Sequence, residues 1–305
     1  MDKQYDLRRR SKRISEMTTG YLLVLPVILI LILLVFYPMC SSIWTSLTDK
    51  KLGVLSAKFV GLKNYQSALR SELFSKSLGN SILWTLASLV LQFILGMSAA
   101  LLLNNRFRGR AVIRGLFIVP WVTPPVVVSI MYRWLLNGLF GYANQVFLAL
   151  GLIPEPQGWF ADPMLLMPTL IFINVWRGVP FMMITLLAGL QTIPVELHEA
   201  AKVDGAGPIR RFISVSLPFM RHVITISLLI YTLWNFNNFD MIYLLTRGGP
   251  GTMSFTLPVM IYSAAFEEFN YGKAAAVSTV MFALLLIVAL VYLRLMSKEE
   301  EESDL

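Results

Sequence analysis

Long uncharged apolar blocks alternate with short polar segments along this chain. At least five blocks of about 18 or more residues hold no Asp, Glu, Lys or Arg, which is more than one water-soluble core could hide. Candidate spans lie near residues 20–44, 79–103, 114–136, 164–190, 219–246 and 273–295. Each is long enough, at about 1.5 Å per residue, to cross a hydrocarbon core of roughly 30 Å. The pattern predicts an all-α integral membrane protein with six transmembrane helices. Residues 134–154 are also uncharged, but Asn137, Gly138, Gly141, Asn144, Gln145 and Gly151 interrupt them, so a loop with a short interfacial helix is expected there. Pro120, Pro124 and Pro125 break the backbone ladder of the third span, as a kink or a gate. Gly96 and Gly189 suit close helix approach.

Charge gives the expected orientation. Residues 1–19 hold Lys3, Arg8, Arg9, Arg10, Lys12 and Arg13, and the run from Met17 to Thr48 is free of charge. That run is longer than the apolar core of a signal peptide, about 7–15 residues, and lacks a small-residue cleavage site, so it reads as a retained first span. With the N-terminus inside, cytoplasmic segments carry sixteen Lys/Arg and outer segments seven, which favours cytoplasmic N- and C-termini. The expected organisation is a basic cytoplasmic N-terminus (1–19), a membrane domain (20–296) with a cytoplasmic loop at 191–218, and an acidic cytoplasmic tail (297–305).

Composition agrees, with 56% hydrophobic and 14% charged residues. The net charge of +8 sits in loops beside apolar spans, without the basic face and interleaved aromatics of a nucleic-acid binder. Cys40 is the single cysteine, and His198 and His222 are the only histidines, so neither a disulfide nor a zinc-type ligand set can form within the chain.

The loop from Gln191 to Pro218 reads as two short helices joined by a turn. Pro194 fits a first helical position, Glu196 and Glu199 suit a positive N-terminal end, and Gly205 suits a left-handed cap. Pro208 can start the second helix, in which Ile209, Phe212 and Ile213 form an apolar stripe. Within this loop, Glu199-Ala200-Ala201 is followed by three residues, Gly205, nine residues, Val215 and then Leu217-Pro218. This spacing resembles the EAA motif of permease subunits in binding-protein-dependent ABC importers. Trp176-Arg177-Gly178-Val179-Pro180-Phe181 and Arg247-Gly248-Gly249-Pro250 are similar to the carbohydrate-uptake branch, the shorter maltose-permease-like subunits. Val215 stands where the pattern has Ile, and the large outer domain of the biggest maltose-type subunit is missing.

The resemblance implies a type I importer permease fold whose loop between spans 4 and 5 is a coupling helix. Glu199, Ala200, Ala201, Asp204 and Gly205 would dock on a cytoplasmic ATPase. It implies a prokaryotic inner-membrane location and several partners: a second homologous permease, two copies of the ATP-binding subunit, an extracytoplasmic solute-binding protein and a carbohydrate-like solute. No cofactor is expected in this chain, with ATP and Mg on the partner ATPase. The chain's own residues agree with that division. At Gly272-Lys273, Glu267 stands where a phosphate-cradling loop needs its first glycine and Ala274 follows the lysine. No GxSxG elbow, HExxH helix or paired acid/base carboxylates are present, so the chain is read as a transport subunit and not an enzyme.

Charges inside spans cost about 2.5–3.5 kcal/mol each on insertion scales and usually face a cavity or a partner. Arg133, Arg177 and Asp240 are such charges. In the fifth span Tyr231, Trp234, Asn235 and Asn238 share a face at i, i+3, i+4 and i+7, with Asp240 just beyond, and Asn174 lies one turn from Arg177 in the fourth. Sugars bind where aromatic faces meet amides and carboxylates, so these seven residues are candidates for the solute pathway. Asparagines that bridge helices are the other reading, and both stay open. The rival function, a gradient-driven secondary transporter or channel subunit without an ATPase, would call for buried acidic relays or an inverted repeat; only Asp240 qualifies.

Overall fold

The computed structural model describes residues 21–53, 56–105 and 107–303. The basic segment 1–19, Arg106 and the last two residues of the acidic tail lie outside the described residues. Helix α1 (Tyr21–Ser46) has a mean hydropathy of 2.9 in its most apolar window, and none of that window is buried. It carries a π turn at Ile32–Phe36, just before Pro38. Proline has no N–H for the carbonyl one turn back, so the ladder slips and the Tyr37 N–H reaches the Ile32 carbonyl instead. Short α2 (Lys63–Leu69) pins the end of α1, with Asn64 Nδ2 donating to the carbonyls of Ser46 at 2.8 Å and Thr48 at 2.7 Å. Helix α3 (Glu72–Asn104) starts at Ser71, whose Oγ accepts from the Phe74 N–H at 3.1 Å.

The third predicted span is two helices, α4 (Arg110–Val122) and α5 (Pro125–Leu135), bent by 91°. The cause is Pro124, which forces Thr123 into extended backbone (ψ 127°), while Pro125 then opens α5 with its fixed φ. Pro120 stays inside α4. Residues 134–154 contain one short helix, α6 (Tyr142–Ala149). Helix α7 (Pro163–Gln191) is capped by Asp162, which accepts from the Met164 N–H at 2.7 Å.

Past α7 the polar loop forms α8 (Val195–Val203) and then α9 (Pro208–Phe219). The fifth predicted span is also interrupted. Helix α10 (Arg221–Phe236) meets α9 at a 72° bend and ends before Asn237, and α11 (Asp240–Thr246) resumes the rod. Helices α12 (Leu257–Glu267) and α13 (Tyr271–Ser303) complete the described chain. Among the described residues, four helices are long and apolar enough to cross a membrane, or up to six if each bent pair is one span.

Helix α7 is the centre of the bundle, with 61% of its most apolar window buried, against 39% for α3 and 28% for α13. Two apolar clusters flank it. One gathers Trp84, Leu166, Leu170, Ile173, Ile242 and Met260, the other Met97, Ala100, Met182, Met183, Leu186 and Met220. Lipid tails are as apolar as leucine, so helix association depends on close packing, and small residues permit it. A Cβ at Gly96 would lie 2.6 Å from Met182 Cγ, and one at Gly189 would lie 3.0 Å from Val223 Cγ1. Gly96→Val should therefore cost about 1–3 kcal/mol through overpacking and lower the unfolding temperature of the purified protein in detergent. Gly79→Ala, in the same helix with nothing within 4 Å of the new methyl, should not lower it. Equal unfolding temperatures for Gly96→Val and the wild type would refute the tight α3–α7 contact.

Candidate functional site

The central helices are joined by a knot of buried amides. Asn174 Nδ2 donates to Ser88 Oγ and to Asn235 Oδ1, both at 2.9 Å. Asn235 Nδ2 donates to Gln92 Oε1 at 2.9 Å, and Gln92 Nε2 donates to the Asn174 carbonyl at 3.1 Å. The Trp84 indole N–H closes the set on the Asn235 carbonyl at 3.0 Å. These groups come from α3, α7 and α10, and each amide is at most 4% exposed. Gly178 gives the knot its room, because a Cβ there would collide with the Gln92 amide. Beside it, the Tyr231 hydroxyl donates to the Gly178 carbonyl at 2.7 Å.

Asn174, Tyr231 and Asn235 thus act between helices, while the other four pathway candidates meet elsewhere. Arg177, Trp234, Asn238 and Asp240 line one cavity of about 450 Å³, to which Trp121 and Asn237 add their side chains. That volume falls in the roughly 300–1,000 Å³ range of small-molecule clefts. Asn238 does not share the α10 face expected from its spacing. The helix ends at Phe236, so Asn238 sits in the break, and its Oδ1 accepts from the Met241 N–H at 3.3 Å. The break turns Asn238 and Asp240 toward the same space as Arg177 of α7. Arg133 lies apart, in the last turn of α5.

Aromatic rings brace the cavity. Trp121 stacks on Phe181 with centroids 4.9 Å apart, and Phe181 and Tyr231 hold Trp234 at 5.4 and 5.8 Å. Trp234 remains 51% exposed, so ring surface is left for a ligand. Sequence reasoning missed Gln92 and Trp121. A lone amide in the uncharged run of α3 was a signal for the first; the second becomes visible only through the bend after α4.

The polar loop forms an ordered hairpin against the ends of α3 and α7. Helix α8 stops in a Schellman turn: Gly205 has φ +77°, the Gly205 N–H donates to the Lys202 carbonyl at 3.1 Å, and the Ala206 N–H donates to the Ala201 carbonyl at 2.9 Å. Pro194 is the cap residue, one position before the helix, not the first helical residue. Glu199, Ala200, Asp204 and Gly205 are exposed, and Ala201 is half-buried. The expected stripe on α9 divides, with Phe212 turned toward the cluster around Met220 while Ile209 and Ile213 stay exposed. A π turn at Phe212–Ser216, two residues before Pro218, shifts the helical register there.

A bent-span helical bundle with a capped polar hairpin and an open polar cavity between its helices is the architecture of a membrane transport subunit. Residues 92–298 match the family described as binding-protein-dependent transport system inner membrane component, and the chain belongs to that family. It is 34% identical over 282 residues to the trehalose/maltose transport system permease protein of Thermococcus litoralis, covering 92% of this chain and 94% of the relative. It is 33% identical to the sulfoquinovosyl glycerol transport system permease protein of Agrobacterium fabrum, covering 98% and 97%. Its fold is similar to that of a chain in the crystal structure of a bacterial ABC transporter involved in the import of the acidic polysaccharide alginate. The TM-score is 0.82, at 22% identity, over 95% of this chain and 99% of that one.

Gln92→Leu should leave the Asn235 amide without its acceptor and cost about 1–3 kcal/mol, read as a lower unfolding temperature in detergent. An unchanged temperature would mean that the knot does not hold the three helices.

Proposed function

We propose that this chain is the membrane-spanning subunit of an ATP-driven importer that carries a carbohydrate into the cytoplasm. The observation that carries the reading is the cavity, where an exposed indole, two amides and two opposite charges meet at the break of a span. An indole face suits the apolar side of a sugar ring, and amides and charged groups satisfy its hydroxyls. The name of the first relative, for trehalose and maltose, supports an uncharged sugar as the solute.

ATP and Mg bind a separate ATPase chain, two copies of which pair with this subunit and a homologous second permease. An extracytoplasmic binding protein delivers the solute. Both termini and the α8–α9 hairpin face the cytoplasm. Nucleotide-driven closure of the ATPase pushes on Glu199, Ala200, Ala201, Asp204 and Gly205. The push passes into α9 and around its 72° bend into α10, which carries Trp234 at the cavity. Because the amide knot fastens α10 to α3 and α7, the three helices move as one body and the cavity changes its side of access.

Two variants test this in proteoliposomes holding the whole importer with its binding protein. Gly205→Val places a branched side chain at φ +77°, a left-handed backbone that costs L residues about 1–2 kcal/mol, and should abolish uptake while the folded subunit stays in the membrane. Trp234→Ala should reduce uptake of labelled trehalose or maltose at least tenfold, with ATP hydrolysis still stimulated by the binding protein. Normal uptake by Gly205→Val would sink the coupling role, and normal uptake by Trp234→Ala would sink the sugar cavity.

A further inference from the structure

Only two of the residues lining the cavity are charged, and they have opposite signs: Arg177 from α7 and Asp240 at the start of α11. They face the same space without an ion pair between them, unlike Lys273 and Glu268, which pair at 2.8 Å. Arg177 Nε is enclosed and has no hydrogen-bond partner. Neighbouring polar groups are already engaged, Asn237 Nδ2 with the Leu233 carbonyl at 2.9 Å and Asn238 Oδ1 with the Met241 N–H at 3.3 Å. A guanidinium and a carboxylate therefore line one small cavity with no ion pair between them.

We propose that Arg177 and Asp240 form a charge-compensated pair that selects uncharged polyhydroxyl solutes and rejects anions. The inference rests on the reading of this cavity as the carbohydrate site. Guanidinium can only donate and carboxylate can only accept, whereas a hydroxyl does both. Adjacent hydroxyls of one sugar ring can accept from Arg177 and donate to Asp240 at once, bridging the pair while the ring lies against Trp234. A carboxylate or sulfonate satisfies Arg177 but meets the like charge of Asp240, and it has no proton to give. A cation meets the converse problem at Arg177. Discrimination comes from the repulsive partner as much as from the attractive one.

The pair can be tested without knowing the solute. Cys40→Ser removes the native thiol, and Asn237→Cys places a reporter in the cavity wall. Its reaction rates with a cationic and an anionic thiosulfonate reagent are then compared in the intact importer in three backgrounds. With both charges present, the ratio of anionic to cationic rates should be near that of a free thiol. It should fall at least fivefold in Arg177→Gln and rise at least fivefold in Asp240→Asn, and the double variant should return it to the starting value. Equal ratios in all backgrounds would overturn the pair, since the two charges would then not share one aqueous space. Uptake of labelled maltose or trehalose against a sulfonated glycoside reads selectivity directly, with Asp240→Asn expected to shift the preference at least tenfold toward the anion. An unshifted preference in a transporter that takes up the sugar would overturn the selectivity role. Reagent ratios that shift in an importer that takes up no sugar would leave the pair standing and remove the carbohydrate reading.

Discussion

A polar side chain inside a bilayer has no water to turn to, and this bundle is arranged around one answer to that constraint. Gln92, Asn174 and Asn235 satisfy one another across three helices, with Ser88 and the Trp84 indole completing the set. Rotating any one helix would strand an amide in an apolar medium. The knot therefore fixes the rotation of α3, α7 and α10, and with it the direction of residues that make no contact with it. Arg177 follows Asn174 by three positions and Trp234 precedes Asn235 by one, so both are aimed at the cavity by partners that do not line it.

The same logic separates the two kinds of polar residue in the spans. Amides bonded across helices hold the bundle together, and the two charged groups of α7 and α11 line the cavity. Asn174 and Asn235 belong to the first kind, Arg177 and Asp240 to the second. An asparagine can fall on either side, since Asn235 bridges helices while Asn238 lines the cavity. Their difference comes from the α10 break at Asn237, which converts a single helical face into two walls with different neighbours.

The long apolar helices were legible in the sequence because hydrocarbon thickness imposes a length that charge-free runs reveal. The hairpin was legible because its prolines and Gly205 have conformational roles that depend on few neighbours. The right-angled turn at Pro124 was legible only as a break, since proline fixes where a ladder fails but not the angle at which packing resumes. The division of the pathway candidates was not legible at all. Whether Asn235 bridges or binds depends on Gln92, far away in the chain, and whether Asn238 continues a face depends on α10 ending at Phe236.

Helix α1 has an unusual place in this economy. Its first half touches little else in its own chain, while the Tyr37–Ser46 half packs against α13, the helix most distant from it in sequence. Of the described helices, α1 leaves the ribosome first and α13 last. Until α13 emerges, α1 has hydropathy as its main source of stability in lipid, and its packing partner follows later. The central packing of α3, α7 and α10 needs neither of these two helices, so α1 is fastened to a core that is already complete without it.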